Sequence, residues 1–111
     1  MRARLEVYLQ SHGFRSLGVS DRASGDIGCG QTATDRMTYE KKWRDTGFFS
    51  GYHWIWVHEF SCDGKWQFVI VSSTNAERQA AQLRDALSEE FAREVASGVL
   101  AVKTRHRVPL E

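Results

Sequence analysis

The chain is poor in residues that break or bridge a fold: it has one proline, two cysteines and no apolar run longer than a few residues. Runs that short leave no membrane span. Glu6 and Gln10 interrupt MRARLEVYLQ before a signal-peptide core can form, so export by that route is not expected and a cytoplasmic location is. Charge of one sign is also missing, since 15 Lys and Arg face 14 Asp and Glu for a net +1. A duplex-coating protein would be strongly basic, which disfavours that class. Two cysteines make at most one disulfide. In a reducing compartment Cys29 and Cys62 are expected as free thiols.

Aromatics are plentiful: four Trp, three Tyr and six Phe among 111 residues, 41% of the chain being hydrophobic. That composition excludes disorder and suits one α+β domain over residues 1–109; Leu110-Glu111 is compatible with a cloning scar. The charge is unevenly spread, net +3 over residues 1–44, −4 over 45–98 and +2 over 99–111. A dipolar surface follows unless neighbouring strands neutralise one another.

Residues 2–12 alternate like a strand, but Leu5, Tyr8 and Leu9 also sit at helical spacing. Gly13 stands where a left-handed helix cap belongs, with apolar Phe14 after it to fold back, which favours a helix. A short strand over 14–19 follows. Residues 20–34, SDRASGDIGCGQTAT, form a glycine-rich loop with little to bury, either functional or mobile. Met37, Tyr39, Lys41 and Trp43 at period two make 35–44 a strand.

Tyr52–Cys62 and Lys65–Ser73 read as a hairpin joined at Asp63-Gly64. A two-residue loop puts Trp54, Trp56, His58 and Phe60 on one face with Gln67, Val69 and Val71. A three-residue loop instead pairs Phe60 with Trp66, His58 with Phe68 and Trp56 with Ile70. Both faces are apolar in either register, so both need cover: the N-terminal helix, the glycine loop or a second copy of the chain. Thr74 or Asn75 then caps a long helix over about 76–97, carried by Ala80, Leu83, Leu87, Phe91 and Val95. Val99–Val102 resumes as a strand running into a basic tail. The expected architecture is a four- or five-stranded, mainly antiparallel sheet. The long helix crosses one face, with the short N-terminal helix beside it.

Few residues promise chemistry. Gly25–Gly30 lacks the Lys of a phosphate loop and the spacing of a dinucleotide loop. Cys29 as a nucleophile needs a nearby base, and no local signature joins it to a histidine. His58 and Cys62 on one regular strand lie about 13 Å apart at about 3.3 Å per residue, too far for one zinc. Cys29 with Cys62 and a histidine is the arrangement left over; no metal or cofactor is expected. Ser73, Thr74 and Asn75, at the positive end of a helix, suit an anion as well as a plain cap.

Two segments suit recognition. Tyr39, Lys41, Lys42, Trp43 and Arg44 interleave rings and cations, as single-stranded nucleic-acid binders do. Phe48, Phe49 and Tyr52 lie in and just after a connection between strands, where aromatics are hard to bury and often mark protein interfaces. The expected function is a small intracellular binding protein, an adaptor or stoichiometric inhibitor, that uses these three aromatics on a protein partner and catalyses nothing. Self-association as a homodimer would use the same surplus of rings. Single-stranded nucleic-acid binding through Tyr39–Arg44 is the alternative, and a thiol enzyme using Cys29 a lesser one.

Overall fold

A computed structural model describes residues 1–20, 36–44, 51–62 and 64–106, at Ser20, Cys62 and His106 the backbone alone. Helix α1 (Arg2–Ser11) leads into strands β1 (Arg15–Ser20), β2 (Arg36–Arg44), β3 (Tyr52–Cys62) and β4 (Lys65–Ser72). A 3-10 turn at Thr74–Ala76, helices α2 (Glu77–Glu90) and α3 (Ala92–Ala96), and strand β5 (Leu100–His106) complete it. The five strands form one sheet in the order β1-β2-β3-β4-β5. β1 to β4 are a meander, each antiparallel to the next, whereas β5 runs parallel to β4. The sheet is therefore mixed. A helical crossover between β4 and β5 returns the chain in the same direction, as parallel neighbours require.

α1 ends as its sequence suggests. The Gly13 amide donates to Gln10 O and the Phe14 amide to Leu9 O, with Gly13 at φ +85°. Those two bonds are the left-handed helix stop that needs glycine. Phe14 folds back and is buried. β1 then carries a bulge between Ser16 and Gly18.

In the hairpin Cys62 pairs with Lys65, so the loop has two residues, and Trp56 faces Val71 and His58 faces Val69. Of the two registers open from sequence, this is the first. Ile55 and Val57 point to one side, where they join Leu5, Leu9, Tyr39, Phe68 and Ile70 in the main core. Phe60, Val69 and Val71, with Trp54 and Trp56 against them, form a smaller cluster on the other. The N-terminal helix does not cover that second face, because Leu5 and Leu9 commit it to the first, beside α2 with its Ala80 and Leu87.

The long helix expected over 76–97 is interrupted. A 3-10 turn precedes it, and at Phe91 the backbone leaves helical values (φ −109°, ψ 34°). Phe91 sits fully buried, edge-on to Phe68 at 5.1 Å between centroids, with the Arg4 guanidinium 4.3 Å above its ring. The break keeps that ring in the core while α3 turns toward β5. Arg4 also donates to Glu94 Oε1 (2.6 Å) and to the Glu90 carbonyl (3.0 Å), clipping α1 to the break.

Glycine at 13 has a measurable cost of replacement. An added Cβ would make ordinary contact with Lys41 Cε at 3.5 Å, so strain comes from φ alone. Gly13→Ala is expected to lower unfolding stability by about 1 kcal/mol. Gly51→Ala, where nothing lies within 4 Å and φ is not left-handed, should leave the denaturant midpoint unchanged. Equal effects at the two positions would contradict the cap.

Candidate binding site

The end of α1 and the end of β2 meet at Lys41. Its Nζ donates to the His12 carbonyl at 3.0 Å, and its arm lies over Gly13. The ammonium stands 5.9 Å from the Phe14 ring centroid and 5.8 Å from that of Trp43. Distances of this size suit a cation held by ring faces. No carboxylate among the described residues pairs with it.

Around this ammonium lies a groove of about 440 Å³ between the two helices and the sheet. Lys41, Trp43 and Ile55 form its floor. The α1 wall carries Tyr8 and His12, four residues apart and stacked at 4.3 Å. His12 Nδ1 is fixed by donating to the Tyr8 carbonyl at 2.7 Å. The α2 wall is one stripe at helical spacing, Gln79, Gln82, Leu83 and Ala86. Beyond it, Glu90 and Glu89, with burial the larger cause, hold the Tyr8 phenol above its ordinary value. The groove is therefore apolar below, amide-lined on one side and cationic at one end.

β2 alternates as expected, with Tyr39, Lys41 and Trp43 toward the helices and Lys42 and Arg44 on the opposite face. That alternation corrects one expectation. Tyr39 is 0% exposed and cannot stack on a base. Burial, with Glu59 and Glu6 adding to it, pushes its phenol up to about 12. Lys42 places its ammonium 4.7 Å from the centroid of Tyr52, which is 58% exposed. Phe48, Phe49 and Cys29 lie outside the described residues, as does the Cys62 side chain.

Ser73 spends its hydroxyl locally, accepting from the Trp54 amide (3.2 Å) and donating to Asn75 Oδ1 (2.7 Å). Thr74 and Asn75 belong to the 3-10 turn rather than to α2, whose first turn carries the carboxylate of Glu77. An acidic side chain there already complements the helix dipole.

Two polar pairs, each with a buried member, flank the core. Glu59, fully buried, accepts from Arg2 Nε at 2.5 Å, while its Oε1 has no hydrogen-bond partner among the described residues. Burial raises its carboxyl above the usual range, against the pull of Arg2 and the N-terminal ammonium. On the opposite face His58 Nδ1 lies 3.0 Å from the Thr38 hydroxyl, which donates when that nitrogen is bare. Among the described residues no three His, Cys, Asp or Glu side chains gather as metal ligands, and no helix is long and apolar enough to cross a membrane.

Fold and site together define a small α+β protein with a helix-flanked groove on one face of a mixed sheet. Comparison with protein-family models, curated proteins and solved structures finds no match to this chain. Sequence reasoning singled out Lys41 and Trp43 but missed Tyr8, His12, Phe14 and the α2 glutamines. The stacked pair at i and i+4 was the one local signal available.

Burial, with Arg36 and Arg105 nearby, holds the His58 imidazole down at about 4. The unfolded chain takes up that proton near 6.5, so the stability involved is complete above about pH 6.5 and lost as pH falls toward 4. His58→Gln should remove the loss. Unfolding free energies of the two proteins from urea titrations should diverge over that window by up to about 3 kcal/mol relative to pH 7. Glu59, titrating in the opposite sense, is common to both; parallel profiles would contradict the assignment.

Proposed function

We propose that this protein is a small binding protein that acts through contact with a protein partner and catalyses no reaction. The contact surface is the end of β2 and β3 where Arg44 pairs with Tyr52. The observation that carries this reading is the Tyr52 ring, exposed although an ammonium lies against it. A large ring kept in water by a short strand end is costly to leave bare and productive to cover. Tyrosine and arginine are enriched among residues that dominate binding energy. Phe48 and Phe49 are proposed as partners in this contact on sequence grounds alone, as aromatics close to Tyr52 along the chain.

A second reading is favoured by a different observation. Trp54 and Trp56, 5.0 Å apart, share a sheet face with Lys42, Arg44, Lys103 and Arg105. Rings and cations on one strand surface suit a single-stranded nucleic acid. Glu40 weighs against it, since it takes the Trp56 indole N–H at 2.6 Å and pairs with Arg15 at 3.0 Å, placing a carboxylate on the path. The Trp56 hydrogen bond, and after it Arg15, hold that carboxyl below its ordinary value, so it is charged at neutral pH.

The test uses immobilised protein challenged with cell extract, wild type beside Tyr52→Ala and Lys42→Ala. Tyr52→Ala should weaken retention of a protein partner by about thirtyfold, as truncating a dominant contact of about 2 kcal/mol does. The thermal midpoint should not move, because the ring is exposed. Unchanged retention would overturn the reading. Retained nucleic acid that elutes steeply between about 50 and 200 mM salt would replace it with the second.

A further inference from the structure

We infer that the groove between α1 and α2 is a binding site for a small amphipathic carboxylate: a flat or aliphatic body of drug-like size bearing one anionic group. This stands apart from the protein contact at Tyr52, which lies on the other face of the sheet. Three observations carry it.

The first is the state of Lys41. Its ammonium is held in place by the His12 carbonyl and by two ring faces, and no carboxylate among the described residues neutralises it. A lysine on a strand surface ordinarily swings into water. This one is already positioned, so a ligand anion meets a cation whose ordering cost has been met by the fold. One hydrogen bond to His12 leaves two N–H groups for an incoming oxygen.

The second is the lining. Apolar carbon from Phe14, Trp43, Ile55 and Leu83 makes the body of the groove, and the polar atoms beyond Lys41 come mainly from Gln79, Gln82, Tyr8 and His12. None of the described lining residues is acidic. A cationic ligand would meet Lys41 and no acidic lining residue, Glu89 and Glu90 lying beyond the lining, and a neutral one would leave Lys41 without an anion. An anion with an apolar body satisfies both halves of the surface.

The third is size. About 440 Å³ falls within the range of roughly 300–1,000 Å³ common to small-molecule sites. Two helices flank the groove and the sheet floors it.

The test is a titration of the whole protein with 3-phenylpropionate and, separately, with 3-phenylpropanamide, followed by amide and indole NMR signals at pH 7.5. The acid should shift the Trp43 indole and the Lys41 and Ile55 amides saturably, and bind at least tenfold more tightly than the amide. Lys41→Met should abolish the difference between the two, whereas Lys41→Arg keeps it. Gln82 is exposed, so Gln82→Glu should leave the fold intact and weaken the acid about tenfold while sparing the amide. Equal binding of acid and amide to wild type would overturn the assignment. So would shifts centred on Tyr52 or Trp54, or no saturation up to about 10 mM. A peptide bearing an acidic side chain that binds where the free acid does not would also overturn it, in favour of a macromolecular occupant.

Discussion

Cys62 pairs with Lys65 across a two-residue turn, and with that pairing every side chain of β3 and β4 is assigned to a face. A slip of one residue in either strand would exchange its two faces wholesale. The glycine at 64, with φ +76°, makes the tight turn attainable. From this constraint Ile70 joins Val57 in the main core and Phe60, Val69 and Val71 form the smaller cluster, while the pairing of Lys41 with Ile55 across β2 and β3 sets the groove floor. It also commits Glu59 to the helix side, where a carboxylate would be untenable without Arg2. The first turn of α1 is thus tied to the centre of the sheet by a charge the register forces inward.

Burial of that charge has consequences beyond one ion pair. The attraction to Arg2 offsets a desolvation cost that apolar packing would avoid, so the pair contributes orientation more than net stability. α1 is held at its start by Arg2, along its side by Arg4 at the α2–α3 break, and at its end by the Gly13 stop. Between those fixed points the α1 wall of the groove, Tyr8 and His12, has little freedom to move. The same rigidity places the His12 carbonyl where Lys41 can reach it. A site of this kind is preorganised by the scaffold rather than by its own flexible parts.

What was legible in the sequence was local. Gly13 followed by Phe14 announced the end of α1, period-two alternation located β2, and aromatic and β-branched runs located β3 and β4. Asp63-Gly64 located the turn but fitted two registers, because each left both faces apolar; burial in the assembled sheet decided between them. The run Leu83, Leu87, Phe91, Val95 continues at helical spacing straight through the break, so only the ring of Phe68 could reveal it. The parallel course of β5 likewise depends on where α2 lies. Within 39–44 the alternation was right and the role of Tyr39 was not, since the same alternation that presents Lys42 to solvent drives Tyr39 into the core. The groove joins residues from 8 to 86 and had no contiguous trace.

The most direct measurement is the set of interstrand nuclear Overhauser effects across β3 and β4. The register described here requires close contacts linking Trp56 to Val71 and His58 to Val69. Contacts linking Trp56 to Ile70 and His58 to Phe68 would contradict it. They would turn Phe68 and Ile70 away from Ile55 and Val57, and the core on which the walls of the groove are seated would go with them.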